Sequence, residues 1–165
     1  MRTSIRAALL VFGLSIAFVQ TPCAEPHAEP PKVELSPDLL DLLRAEMAEV
    51  SKGMQVLVVA LASADWPAVG ATSAKIRASY ILAQQLTPGQ SAELERALPE
   101  RFKQLDADLH ARAARLEAAA DARDAELAAF HYSRLVESCV ACHSAYAVNR
   151  FPGFGTAADQ THHHH

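Results

Sequence analysis

Apolar positions recur along this chain with a helical period, and no stretch shows the two-residue alternation of a strand. Ser36, Pro37 and Asp38 make a helix start: a capping hydroxyl, a proline in the first turn, and an acid near the positive end of the helix dipole. From there Leu43, Met47, Val50, Met54, Leu57 and Leu61 alternate steps of 4 and 3, a seam on one helix that ends near Ser63. Asp65 caps a second helix with Pro67 in its first turn. Its seam is Trp66, Val69, Ser73, Ile76, Tyr80 and Ala83, and it is predicted to run to about Leu86.

Thr87-Pro88-Gly89 is the next break, followed by a short helical piece from Gln90 to Ala97. Pro99 opens the third helix, with Leu98, Phe102, Leu105, Leu109 and Leu116 inward. Asp121 or Asp124 caps the fourth, whose seam is Ala128, Tyr132, Leu135, Cys139, Cys142 and Tyr146. Asn149 to Gly155, with Pro152 and two glycines, ends it. Four helices of about 20 residues with short connections predict an all-α, antiparallel up-down-up-down bundle over residues 36–150.

The ends read differently. Arg2 and Arg6 precede an apolar run from Ala7 to Val19, so residues 1–24 are expected to be a secretory signal peptide. That run is short for a membrane span, which needs about 20 residues; an uncleaved anchor is the alternative. Cleavage leaves no stable membrane span and removes Cys23 or strands it at a terminus. Residues 25–35, rich in Pro and Glu, form an extended leader, and 151–165 a tail whose four final histidines look like a tag remnant.

Composition narrows the function. Half of the 165 residues are hydrophobic and only 6% aromatic, which suits an Ala/Leu-rich helical domain. Net charge is −4, and −6 without residues 1–24, so a nucleic-acid partner held by phosphate neutralisation is not expected. No carboxylate pair or nucleophile–base constellation argues for hydrolysis, and the chain is expected not to be an enzyme.

The chemistry lies in Cys139-Val140-Ala141-Cys142-His143, a C-x-x-C-H sequence, the attachment signature of a c-type haem. Two thiols three residues apart on one helical turn can add to the two vinyl groups of one haem. The adjoining His143 then presents its imidazole to the iron. A thioredoxin-like pair needs a βαβ context, which is absent. A zinc site needs further ligands, and a disulfide within one helical turn is strained. Covalent attachment also agrees with export, and the expected location is the periplasm.

Only 22 residues follow His143 and none is Met, so a second axial ligand has to come from upstream. With its signal peptide, four helices and C-x-x-C-H near the end of the last helix, the chain resembles the cytochrome c′ family over roughly residues 36–150. In that family the distal residue lies on the first helix: an apolar, non-ligating side chain in high-spin members, a Met in a low-spin branch. Met47-Ala-Glu-Val-Ser-Lys-Gly-Met54 looks like the Met-bearing version, with Met47 in the distal position. In an antiparallel bundle the end of the fourth helix lies beside the start of the first, so Met47 and His143 share one bundle end. Met54 lies about 10 Å deeper.

The resemblance also implies an Arg on the first helix near the haem propionates. Here position 43 is Leu and the nearest candidate is Arg44, three residues before Met47. Tyr146, one turn past His143, is expected against the haem edge, and Arg150 near a propionate or in solvent. His27, His110 and His131 read as edge or surface residues, Trp66 and Phe102 as core.

The expected function is a periplasmic mono-haem cytochrome with iron held by His143 and Met47, passing single electrons between redox partner proteins. The alternative is five-coordinate iron that binds nitric oxide or carbon monoxide. Peroxidase-like catalysis lacks a distal His or Arg. A homodimer through the first two helices is implied by the resemblance, with Leu39, Leu42 and Val56 as its outward stripe.

Overall fold

The computed structural model describes residues 33–155. The signal segment, most of the leader and the chain beyond residue 155 lie outside the described residues. Six helices follow one another: α1 (Pro37–Ala62), α2 (Trp66–Ala78), α3 (Leu82–Gln85), α4 (Pro88–Ala97), α5 (Glu100–Asp121) and α6 (Ala125–Tyr146), with a final 3-10 turn at Pro152–Phe154. No strand occurs among the described residues. The four longest form the bundle: α5 packs against both α2 and α6, α1 packs against α2, and α1 meets α6 to close the ring.

The caps follow the local chemistry. Asp65 accepts from the Ala68 amide at 3.1 Å and Asp124 from the Leu127 amide at 2.9 Å, fixing the starts of α2 and α6. Thr87 and Gln90 exchange bonds in a capping box that starts α4, so the Thr87-Pro88-Gly89 break is itself the helix start. Pro99 sits one position outside α5, as its N-cap. The α1 start is tied down at a distance, since Ser36 N–H and Oγ donate to Glu93 on α4 at 2.6 and 3.0 Å.

The core is aliphatic and small: Leu57 and Ala60 from α1, Val69 and Ile76 from α2, Ala113, Leu116, Ala119 and Ala120 from α5, Ala128 and Leu135 from α6. Alanines let the helices approach closely, and the leucines interdigitate between them.

Two expectations are corrected. The second helix does not run to Leu86: it stops at Ala78, and Ser79 takes a left-handed backbone with φ 61°. Long-range side chains make the break. The Nδ1–H of His110 on α5 donates to the Ile76 carbonyl at 2.8 Å, and the Glu46 carboxylate on α1 accepts the amides of residues 80, 81 and 82. These partners satisfy groups that a continuing helix would have paired internally. The buried face of α1 is also rotated from the expected seam. It runs through Leu39, Glu46, Val50, Gly53, Leu57 and Ala60, so Leu39 is fully buried and not part of an outward stripe. Leu43, Met54 and Leu61 fall on its half-buried flank, and Met47 beyond it.

Candidate functional site

The α6 helix carries Cys139, Cys142 and His143 in its last two turns, on the half-buried side that continues the line of Ala128, Leu135 and Ser138. Both cysteines are free thiols. Burial pushes the Cys139 thiol up, and burial together with the charge of Asp106 and the neighbouring Cys139 pushes Cys142 up to about 11. A thioredoxin-type pair needs the opposite, a thiol depressed toward neutrality, so the pair is ill suited to that chemistry. Burial, aided by Arg150, holds the His143 imidazole below its ordinary range and keeps it neutral, with a lone pair to offer a metal.

Past the helix end the chain folds back. The amides of Arg150 and Phe151 both donate to the Ala147 carbonyl, at 3.0 and 2.9 Å. This turn lays the Phe151 ring flat on the His143 imidazole, with centroids 4.5 Å apart. The Arg150 guanidinium sits 6.0 Å from the Phe151 ring centre. Nothing in the sequence marked Phe151, because its role depends on the turn that returns it. Tyr146 meets Phe102 of α5 edge-on at 5.1 Å, which joins the end of α6 to the start of α5.

Met47 faces a cavity of about 190 Å³ between α1, the 79–86 segment and α5. Its side chain is 37% exposed and does not belong to the packed core. Asp106 joins this cavity to the cysteine motif: it lines the same space as Met47, and its charge acts on the Cys142 thiol. Met54, by contrast, packs against the core, and its carbonyl accepts from the Tyr132 hydroxyl at 3.3 Å.

Of the other candidates, Arg44 points into solvent and pairs with Asp41 at 3.1 Å. His110 caps α2 and approaches Asp106 at 3.6 Å, and its pKa is raised chiefly by that carboxylate. His131 lies edge-on to Phe130 on α6. Sequence reasoning missed Glu46, an acid on the core face of α1 that is 3% exposed. Its place one residue before a seam position was the only available signal.

The donor set suits a c-type haem: two protonated thiols one turn apart, a neutral imidazole beside them, and a thioether bordering the cavity on α1. Among the described residues no cluster of three His, Cys, Asp or Glu is placed to hold a metal ion alone.

No family model and no curated protein matches the sequence. Among solved structures, the fold is similar to the crystal structure of cytochrome c′ from Thermochromatium tepidum, with a TM-score of 0.51 and 25% identity over 68% of this chain and 96% of that one. An all-helical bundle with a C-x-x-C-H motif in the last turns of its last helix, and this likeness, give the chain the four-helix fold of cytochrome c′.

Proposed function

We propose that the protein is an exported mono-haem c-type cytochrome that carries single electrons, with His143 and Met47 as axial ligands. The observation that carries this reading is the placement of Met47, which borders a cavity shared with Asp106 and leaves the core to its neighbours. A Met used only for packing would lie on the buried face, where Val50 and Leu57 lie instead.

Cys139 and Cys142 would hold the haem by adding their S–H groups across its two vinyls, a step that needs no electron acceptor. A bound haem would supply reversible one-electron chemistry, with His143 and Met47 as the residues that would hold its iron. The remaining work belongs to the chain. Neutral His143 presents its lone pair, Phe151 limits the ring's rotation, and α5 and α6 hold the motif against a packed core. This division of labour is that of a carrier, not an enzyme.

The rest of the reading follows from where such proteins mature. Export through residues 1–24 delivers the chain to the periplasm, where redox partner proteins meet it. No helix among the described residues is long and apolar enough to cross a membrane. Self-association through the α1–α2 side has an apolar surface in exposed Val56 and Val59.

One observation favours a second reading, in which nitric oxide or carbon monoxide binds the iron in place of Met47. The cavity beside Met47 has several times the volume that one water occupies, about 30 Å³, and so admits a diatomic ligand. Absorption spectra of the exported protein separate the two. Low-spin bands with a thioether-to-iron feature at long wavelength, converted to a high-spin spectrum by Met47→Ala, support the electron carrier. A spectrum unchanged by Met47→Ala removes Met47 as ligand, and high-spin wild-type iron that takes up carbon monoxide completely favours the gas-binding reading.

A further inference from the structure

Glu46 is a charged residue with its carboxylate inside the protein, a placement that side chains of its kind adopt only when paired. Its partners are three consecutive backbone amides: Oε1 accepts from Tyr80 at 2.8 Å, and Oε2 from Ile81 at 2.5 Å and Leu82 at 3.1 Å. They belong to the connection between α2 and α4, which starts at the left-handed Ser79 and contains only the four-residue α3. Neither α3 nor α4 buries a residue fully, and the connection meets the core cluster through the Tyr80 ring.

That connection forms one wall of the Met47 cavity, through Ser79, Leu82, Ala83 and Leu86. The other walls are α1 and α5, long helices pinned by the core, with Leu94 of α4 beside the connection. A second attachment lies about two turns further along α1. The Tyr80 ring rests against Gly53, where an added Cβ would fall well inside contact distance of the Tyr80 hydroxyl. The wall is therefore a strap laid across α1 and fixed at two points, Glu46 and Gly53.

We infer that Glu46 is a latch that holds the 79–86 strap closed over the Met47 face of α1 and so controls how readily a small ligand enters there. The inference rests on the reading of Met47 as the residue facing the iron. Glu46 is a positioning residue: it touches the strap, and the strap closes the cavity. Loss of the carboxylate frees three amides at once and leaves Tyr80 as the remaining tie.

The test uses the full, haem-loaded chain in wild-type, Glu46→Gln and Glu46→Ala forms, with amide hydrogen exchange and carbon monoxide association to the reduced protein as readouts. In Glu46→Ala the amides of residues 80–82 should exchange about ten-fold faster or more while those of α5 and α6 keep their rates. Carbon monoxide should associate about five-fold faster or more, because the open strap is more populated. Glu46→Gln, which keeps the shape and one acceptor oxygen, should fall between. Unchanged exchange at residues 80–82 overturns the latch. Faster exchange with an unchanged association rate overturns the strap as the gate, and so does a protein that takes up no carbon monoxide in any form. If Glu46→Ala does not fold, Gly53→Ala, which pushes Tyr80 off α1, carries the same two readouts. A high-spin wild-type spectrum refutes Met47 ligation but leaves the exchange result standing, so the two failures are told apart.

Discussion

The imidazole of His143 and the ring of Phe151 are stacked, with centroids 4.5 Å apart and planes 21° from parallel. The two residues lie on opposite sides of the α6 end, and the Ala147 carbonyl holds the turn that joins them. Removing the ring in Phe151→Ala should cost only about 0.5–1.5 kcal/mol of stability, the ordinary value of such a pair. The larger effect should fall on the imidazole's orientation. In the loaded protein, electron paramagnetic resonance of the oxidised form should show broadened or shifted g-values, restored by Phe151→Tyr. Identical spectra in Phe151→Ala and wild type would mean that the stack does not set the ring plane.

The Gly53–Tyr80 contact makes a second prediction, about stability alone. Gly53 is a helical position with ordinary negative φ, where Ala should gain up to about 1 kcal/mol by propensity. The added Cβ nonetheless meets the Tyr80 hydroxyl, on a rigid ring whose own backbone amide is held by Glu46. Gly53→Ala should therefore lose about 1–3 kcal/mol to overpacking. In a Tyr80→Phe background the same change should be neutral or stabilising, since the remaining ring contact at 3.4 Å is near ordinary packing. Denaturant unfolding of the four proteins measures the coupling, and additive effects would show that the hydroxyl is not the obstacle.

The register of α1 yields a third. Leu39 reads from the sequence as part of an outward stripe, yet it is fully buried, while Val59 is 69% exposed. Leu39→Ala should destabilise by about 2–5 kcal/mol. Val59→Ala should stay within about 0.5 kcal/mol. Equal effects in thermal unfolding would place the buried face elsewhere on the helix.

Much of this was written locally, and the exceptions share a cause. The start of α2 was legible, and that of α6 was narrowed to Asp121 or Asp124, because Asp65 and Asp124 act within three residues of themselves; Thr87 read as a break, although it caps α4. The C-x-x-C-H motif was legible for the same local reason, being confined to five consecutive residues. The end of α2 was not, because it depends on Glu46 and His110, which lie 34 residues before Tyr80 and after Ile76. Nor was the exact α1 face: Gly53 and Glu46 occupy buried positions that no hydrophobic pattern assigns to a core. Phe151 escaped notice because a turn, and not a helix period, brings it to His143.

His110 provides the pH dependence. The Asp106 carboxylate one turn before it on α5 raises its pKa most, the Ile76 carbonyl on α2 and the Glu46 charge on α1 add to the rise, and burial opposes it. A histidine whose folded pKa lies above its unfolded value of about 6.5 is better stabilised when protonated. Its contribution is therefore complete below about pH 6.5 and disappears as pH rises through the higher folded value. Asp106→Asn removes the main cause, so the melting temperature of wild type should exceed that of the variant most at pH near 5.5 and least near 8.5. His131 works in the other direction: its pKa is lowered by burial and Arg115, and what it contributes is lost on acidification. That term is common to both proteins and cancels in the difference. A wild-type advantage equal at the two pH values would show that the Asp106–His110 pair holds the α2 end without any linked proton.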